Sequence, residues 1–89
     1  MAGVLQTRSL DKFNLNVTLV DGVNATTATL TGIATEDRIL SVMLFSTKAS
    51  VATVTDITDD VTITAANTIT VGSDYSNDLM QVFWVDMSL

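Results

Sequence analysis

Two apolar stretches decide the fold of this chain: Ile39-Leu40-Ser41-Val42-Met43-Leu44-Phe45 and Leu79-Met80-Gln81-Val82-Phe83-Trp84-Val85. Both are rich in β-branched, aromatic and other large apolar residues, and such residues suit the pleated, packed surface of a β-sheet. Almost none of the residues in either stretch can take part in catalysis. They predict two strands inside a small β protein.

Each stretch is apolar on both of its faces, because side chains of a strand point alternately to opposite sides. A small sandwich has a single core, so a strand needs only one apolar face. The second face must therefore meet a tail, a loop or another subunit, or remain as an interaction patch. In the first stretch we expect Leu40, Val42 and Leu44 on one face and Ile39, Met43 and Phe45 on the other. In the second stretch we expect one face with Leu79, Phe83, Val85 and Met87 and the other with Met80, Val82 and Trp84.

Outside these stretches the pattern predicts further short strands separated by turns. Alternation over 13–19 predicts a half-buried strand, and Asp21-Gly22 after it is a turn signal that also fits a hairpin. Residues 27–32 and 51–54 are two more strand candidates, 61–71 fits a hairpin, and 72–78 fits a loop. Thr35 to Arg38 is a polar connection or the start of a short helix. The fold class is all-β, a small antiparallel β-sandwich or barrel (jelly-roll-like or Ig-like) of six to eight strands.

The chain is expected to form one domain of residues 12–89, preceded by an N-terminal arm of residues 1–11. The first eleven residues show no period, so a frayed terminus is the alternative. With 47% apolar and only 16% charged residues, the chain has less charge than a small monomer usually carries. Because it has no Cys and no His, neither a disulfide nor a His or Cys metal site can support its small core. Association with other subunits is the expected source of extra stability.

The net charge and the search for targeting signals limit the classes of partner that the chain can have. The net charge is −6, and the four basic residues are scattered singly, which argues against nucleic-acid binding. Residues 1–11 lack the apolar core of a signal peptide. No apolar run is long enough for a membrane helix. We expect a soluble protein made in the cytoplasm, without membrane contact.

Candidate chemistry is sparse. Activating a Ser or Thr needs a base, and the sequence sets none beside a particular hydroxyl. The carboxylates at 56–60 and 74–78 are interpreted as turn residues that bond their own backbone. Asp74, Asn77 and Asp78 also offer oxygen ligands for calcium, but without EF-hand spacing. We predict no enzyme activity, no catalytic residue, no metal and no cofactor.

Residues 33–89 resemble the head decoration, or cement, proteins of tailed bacteriophages. The resemblance lies in the apolar strand 39–45, the connection Ser46-Thr47-Lys48-Ala49-Ser50, the Asp-Ile-Thr-Asp turn at 56–59, the threonine-alternating hairpin at 61–71 and the aromatic strand 79–85. It is one of pattern and composition, covers about two-thirds of the chain and includes no diagnostic motif.

The resemblance implies a virion structural protein that binds the outer surface of the capsid, contacts the major capsid protein and stabilises joints between capsomers. Two alternatives stay open: another virion part, such as a tail or head–tail connector protein, and a carbohydrate- or cell-surface-binding β module that uses Trp84 and Tyr75. Phe83-Trp84 is either an interface hot spot or part of the core. The candidate interface residues are Val4, Leu5, Arg8, Ile39, Met43, Phe45, Phe83 and Trp84.

Overall fold

Alternating apolar and threonine residues produce seven short strands. The computed structural model describes residues 14–46 and 52–87, and this part of the chain contains no α-helix. A single 3-10 turn covers Thr58–Asp60. The strands are β1 (Asn14–Asp21), β2 (Thr27–Thr29), β3 (Arg38–Ser46), β4 (Thr53–Asp56), β5 (Val61–Ala65), β6 (Thr68–Val71) and β7 (Leu79–Asp86).

The strands form two antiparallel sheets that pack on each other. One sheet has the order β1-β7-β3-β4 and the other has the order β2-β6-β5. This arrangement confirms the predicted small all-β sandwich. The two strands with two apolar faces, β3 and β7, are the interior strands of the four-stranded sheet. The hairpin predicted over 61–71 is β5 and β6, which turn at Ala66-Asn67, and Asn67 has the positive φ of 59° that such a turn requires.

The core lies between the inner faces of the two sheets. Val42, Met80 and Val82 come from the four-stranded sheet, and Ile69 and Val71 come from the three-stranded sheet, all of them fully buried. Leu30 and Ile33, in the connection after β2, close the core and are also buried. One continuous cluster of buried apolar side chains therefore holds the sheets together.

A β-bulge in β3 corrects the predicted faces of this strand. Ile39 pairs with Trp84 and Ser41 pairs with Phe83. Because Trp84 and Phe83 are neighbours in β7, Leu40 is one extra residue in β3 between the two pairs. The extra residue reverses the alternation at this point. Ile39 consequently packs against the core, whereas Leu40 is 54% exposed. The prediction that Ile39 shares a face with Met43 and Phe45, and Leu40 a face with Val42 and Leu44, is wrong for this reason.

The apolar side of β1 faces outward, although an alternating strand usually buries its apolar side. Its inner face carries Thr18 and Val20, and its apolar residues Leu15, Val17 and Leu19 point outward. β1 is the edge strand of the larger sheet, where the narrower sheet covers less of it. A threonine is tolerated there because its hydroxyl has a hydrogen-bond partner in the core.

The Asp21-Gly22 turn does not form a hairpin, because β1 and β2 belong to different sheets. The turn instead carries the chain across the end of the sandwich. Gly22 passes so close to the Tyr75 carbonyl that a Cβ atom would lie 1.9 Å from the oxygen, a distance at which only glycine fits. This contact places the 72–78 loop against the start of the crossing.

A buried carboxylate fixes the connection that precedes β3. Asp37 is buried, and its two oxygens accept hydrogen bonds from the backbone N–H groups of Ala34, at 2.7 Å, and Met87, at 2.9 Å. The segment forms a turn and not the alternative short helix. Asp37 thereby joins the start of β3 to the end of β7.

Nothing in the described residues forms a helix of the length and apolarity that crossing a membrane requires.

Candidate docking face

The outward side of the four-stranded sheet is almost continuously apolar. Antiparallel register aligns Val17 of β1 beside Phe83 of β7, and Leu15 beside Val85. On the other side of β7, Phe45 of β3 lies beside Leu79. We define the outer apolar face as the nine apolar side chains that this register aligns: Leu15, Val17, Leu19, Met43, Phe45, Val54, Leu79, Phe83 and Val85.

Exposure is greatest on the two edge strands. Leu15, Val17 and Leu19 of β1 are 59%, 52% and 60% exposed, and Val54 of β4 is 57% exposed. The central side chains from β7 and β3 are half-buried by these neighbours, except Val85, which is buried, and Phe45, which is 38% exposed. Large apolar side chains thus form one patch across four strands instead of lying singly on the surface.

The size of this patch follows from the geometry of the strands. The strands rise about 3.4 Å per residue and lie about 4.8 Å apart, so the part formed by β1, β7 and β3 measures roughly 27 Å by 14 Å. That is roughly 400 Å² in projection, within the range where contiguous apolar patches often have a function. Interaction with another molecule is the physical use to which such a face is suited.

Polar residues interrupt the outer apolar face mainly near its borders. Gln81 and Ser41 lie within it, Asp21 and Asp56 lie at its Leu79 half, and Arg38 lies at its Val85 end. Asp21 and Asp56 are both exposed. The described part of this border therefore carries two carboxylates at one end and one guanidinium at the other.

The outward side of the three-stranded sheet has the opposite chemistry. Thr27 of β2, Thr70 of β6 and Thr62 of β5 align in one row, and Thr29 and Thr68 pair in the next. Thr64 is at the bulge in β5, where its hydroxyl lies 2.9 Å from that of Thr70. Six threonines thus cover this side, which we call the threonine face.

Trp84 lies in the core and not on the outer apolar face. It is 5% exposed, and its indole Nε1–H donates a hydrogen bond to the Thr18 hydroxyl at 3.1 Å. This position favours the core interpretation of Trp84 and argues against its use at an interface. It also removes Trp84 as a stacking platform for a sugar ring, because neither face of the indole is open to solvent.

The other predicted interface residues have mixed positions. Met43, Phe45 and Phe83 lie together on the outer apolar face. Ile39 packs against the core from the bulged strand. Val4, Leu5 and Arg8, together with the proposed arm, lie outside the described residues. The sequence prediction missed the four most exposed members of the face, Leu15, Val17, Leu19 and Val54. The strict alternation of the first three was visible but indicated a buried side.

The carboxylates at the ends of the sandwich act within turns. Asp56 accepts hydrogen bonds from the backbone N–H of Thr58, at 2.9 Å, and from the Thr58 hydroxyl. The hydroxyl bond is the main cause that lowers the pKa of Asp56, and the backbone bond adds to it. Asp74 makes the same pair of bonds to the N–H and hydroxyl of Ser76. These contacts agree with the interpretation of both residues as turn residues.

Asp60 and Tyr75 form a side-chain hydrogen bond between two connections of the sandwich. The Tyr75 hydroxyl donates to Asp60 Oδ2, and this bond is the largest cause of the lowered pKa of Asp60. The pKa of Tyr75 is raised, first by its burial and then by the same bond. Across 14–46 and 52–87 no three acidic residues gather in a way that would hold a metal ion. The pair fastens two loops of the sandwich to each other.

Comparisons of the chain with protein-family models, with curated proteins and with solved structures find no significant match.

Proposed function

We propose that this protein is a non-enzymatic virion structural protein that binds the outer surface of a bacteriophage capsid and stabilises contacts between capsomers. The observation that carries the proposal is the outer apolar face, because its exposed apolar side chains suit it to dock on another protein. The resemblance of residues 33–89 to phage decoration proteins supplies the identity of the partner, the major capsid protein.

The chemistry of the two outer faces supports a one-sided attachment. The outer apolar face gains free energy when it leaves water, whereas threonine hydroxyls lose hydrogen bonds to water unless each finds a partner. A protein that coats a particle needs an apolar side that binds the particle and a polar side that faces water. The proposed orientation sets the outer apolar face against the capsid and the threonine face toward solvent.

Reinforcement by such a protein follows from mass action. A protein that binds the assembled lattice better than its free subunits shifts the equilibrium toward the lattice. Single contacts of roughly 400 Å² per copy are small beside the ~800 Å² per partner of a standard interface. Many copies on one shell act together, so weak individual contacts still protect the particle.

Self-association as a dimer or trimer is a second part of the proposal. No described strand pairs with the outer edge of β1, which is eight residues long. An open edge of this length offers backbone donors and acceptors to a strand of a second copy. Such pairing would extend the four-stranded sheet and leave its outer apolar face available to the capsid.

The test compares phage heads with and without this protein. Heads that carry the protein should survive heating and dilution into low salt better than heads that lack it. Equal survival of the two populations, or location of the protein in the tail, would contradict the proposal.

A matched pair of variants identifies the face. Val17→Asp sets a charge in the middle of the outer apolar face and should weaken binding to heads by about 30-fold or more, as expected for an interface hot spot. Thr62→Asp adds the same charge on the threonine face and should leave binding within about twofold of wild type, because an exposed side chain away from the contact contributes little. Equal binding by both variants would remove the outer apolar face from the proposal.

A further inference from the structure

A surface cavity opens at the Leu79 end of the outer apolar face. It has a volume of about 650 Å³ and lies between the ends of β1, β3, β4 and β7. Phe45, Val54 and Leu79, which belong to the outer apolar face, form its apolar wall. Asp21, exposed at the end of β1, lies in its rim, and the buried residue Asp78 is also part of its lining. The cavity is therefore continuous with the docking face but differs from it in charge.

An apolar wall beside a carboxylate matches the side chain of lysine or arginine. Both residues have an aliphatic stem that packs on apolar surface and a charged end that reaches a polar rim. The ring of Phe45 adds a surface on which a guanidinium can stack. A purely apolar side chain in the same cavity would leave the carboxylate of Asp21 without compensation for the water it loses.

The charge of the described residues also indicates a basic occupant. Residues 14–46 and 52–87 contain nine acidic residues, and the single basic residue among them is Arg38. Arg38 lies at the opposite end of the face, where its guanidinium donates to the backbone carbonyls of Glu36 and Asp37. A second copy stacked on the outer apolar face would bring two chains of net charge −6 together. Charge complementarity therefore favours a different, basic occupant.

We propose that the occupant of the outer apolar face is a protein surface with an apolar centre and a protruding lysine or arginine, and that this basic side chain enters the cavity beside Asp21. The inference rests on the proposed function and states the chemistry of the capsid surface that this protein recognises. The apolar contact supplies most of the affinity, and the basic side chain sets the register of the protein on its partner.

The test measures binding to phage heads that lack this protein, by co-sedimentation, at low and at high salt. Asp21→Lys should weaken binding about tenfold at low salt, and Asp21→Asn by about threefold, with smaller losses at high salt because mobile ions screen exposed charges. Asp59→Lys is the matched control, since Asp59 is exposed in the 3-10 turn and does not line the cavity. It should bind within about twofold of wild type. Circular dichroism of each variant checks that it is folded.

The outcomes separate the inference from the function on which it rests. If wild-type protein does not bind heads, the proposed function fails and the inference falls with it. If wild type binds and the two Asp21 variants bind as well as Asp59→Lys, the function stands and the basic occupant is overturned. If the isolated protein dimerises and Phe45→Asp abolishes the dimer, a second copy occupies the face and the inference is again overturned.

Discussion

The two outer faces of this sandwich have opposite affinity for water, although each carries β-branched residues of one shape, valine on one face and threonine on the other. Valine and threonine are both β-branched and both favour strands. On the four-stranded sheet the exposed positions of β1 are Leu15, Val17 and Leu19, and on the three-stranded sheet β6 presents Thr68 and Thr70. Valine and threonine therefore support strand formation equally well on the two sides. Whether a position carries a methyl or a hydroxyl group depends on the surroundings of each face.

This difference separates what folds the chain from what the chain presents. The inner faces of both sheets are apolar because they share one core. If folding alone had determined the outer faces, both would be expected to be polar. The outer apolar face is consequently the feature of this molecule that folding does not explain.

The largest expected effect distinguishes inner from outer positions. Ile69→Ala removes a fully buried side chain from the core and should lower the free energy of unfolding by about 2–5 kcal/mol. Leu19→Ala, at a position that is 60% exposed, should change it by no more than about 0.5 kcal/mol. Urea unfolding followed by circular dichroism measures both values. A loss at Leu19 as large as that at Ile69 would mean that the outer apolar face is covered by the chain itself.

An exchange of methyl and hydroxyl groups tests the comparison of the two outer faces directly. Val17→Thr with Val54→Thr keeps shape and strand preference but adds two hydroxyls to the docking face, so binding to phage heads should fall about tenfold, since buried hydroxyls need partners. Thr27→Val with Thr62→Val makes the reverse change on the threonine face. Binding of that variant should stay within about twofold of wild type. Similar losses in both double variants would show that the two faces take equal part in docking.

The indole of Trp84 gives a spectroscopic test of which side meets the partner. Trp84 is the one tryptophan of the chain, and it faces the core. Its fluorescence should therefore shift to longer wavelength on unfolding and stay unchanged when the outer apolar face is occupied. Thr18→Val removes the hydroxyl that accepts its Nε1–H and should cost about 1 kcal/mol of unfolding free energy. A shift of the Trp84 fluorescence on binding of the wild-type protein would contradict docking that leaves the core unchanged.

The smallest expected effect concerns pH and the loops that hold the two sheets in place. The Tyr75 hydroxyl holds the pKa of Asp60 below its usual range, so the ionised carboxylate stabilises the folded state above the ordinary pKa of aspartate. This contribution disappears as the pH falls through the lowered pKa of the folded form. Tyr75→Phe should thus be slightly less stable than wild type at neutral pH and equal to it in strong acid, as thermal unfolding at several pH values would show.

Asp60→Asn is the control for this pH dependence. It removes the titrating group, so a further Tyr75→Phe change should have the same effect at every pH. A pH-dependent difference that survives in the Asp60→Asn background would assign the titration to another carboxylate.

The sequence predicts the fold class because that class depends on local patterns. Two-sided apolar strands, threonine alternation and the Ala66-Asn67 turn are all visible in the chain, and β3, β7 and the β5–β6 hairpin follow from them. The direction of a face is a different matter. The bulge at Leu40 reverses the alternation of β3 through one extra residue, which no local signal marks.

The candidate site was predictable only in part for the same reason. Met43, Phe45 and Phe83 follow from the surplus of apolar faces on β3 and β7. The outward direction of the apolar side of β1 is set by its register with β7, which pairs residues 58 to 72 positions apart. The roles of Asp37 and of the Thr18–Trp84 bond depend on similar long-range contacts. Patterns within a few residues carry no information about such pairings.

The central position of β7 has a consequence for the order of assembly during synthesis. β7 lies between β1 and β3 and is the last strand described, so the larger sheet cannot close until residue 86 has been translated. Until then the apolar side chains of β1 and β3 emerge from the ribosome without their partner strand. Unpaired strands of this kind are prone to aggregate, and pairings distant in sequence form slowly. The threonine-rich β5–β6 hairpin, which is local in sequence and translated before β7, is free to form first and keeps part of the nascent chain soluble while the larger sheet is completed.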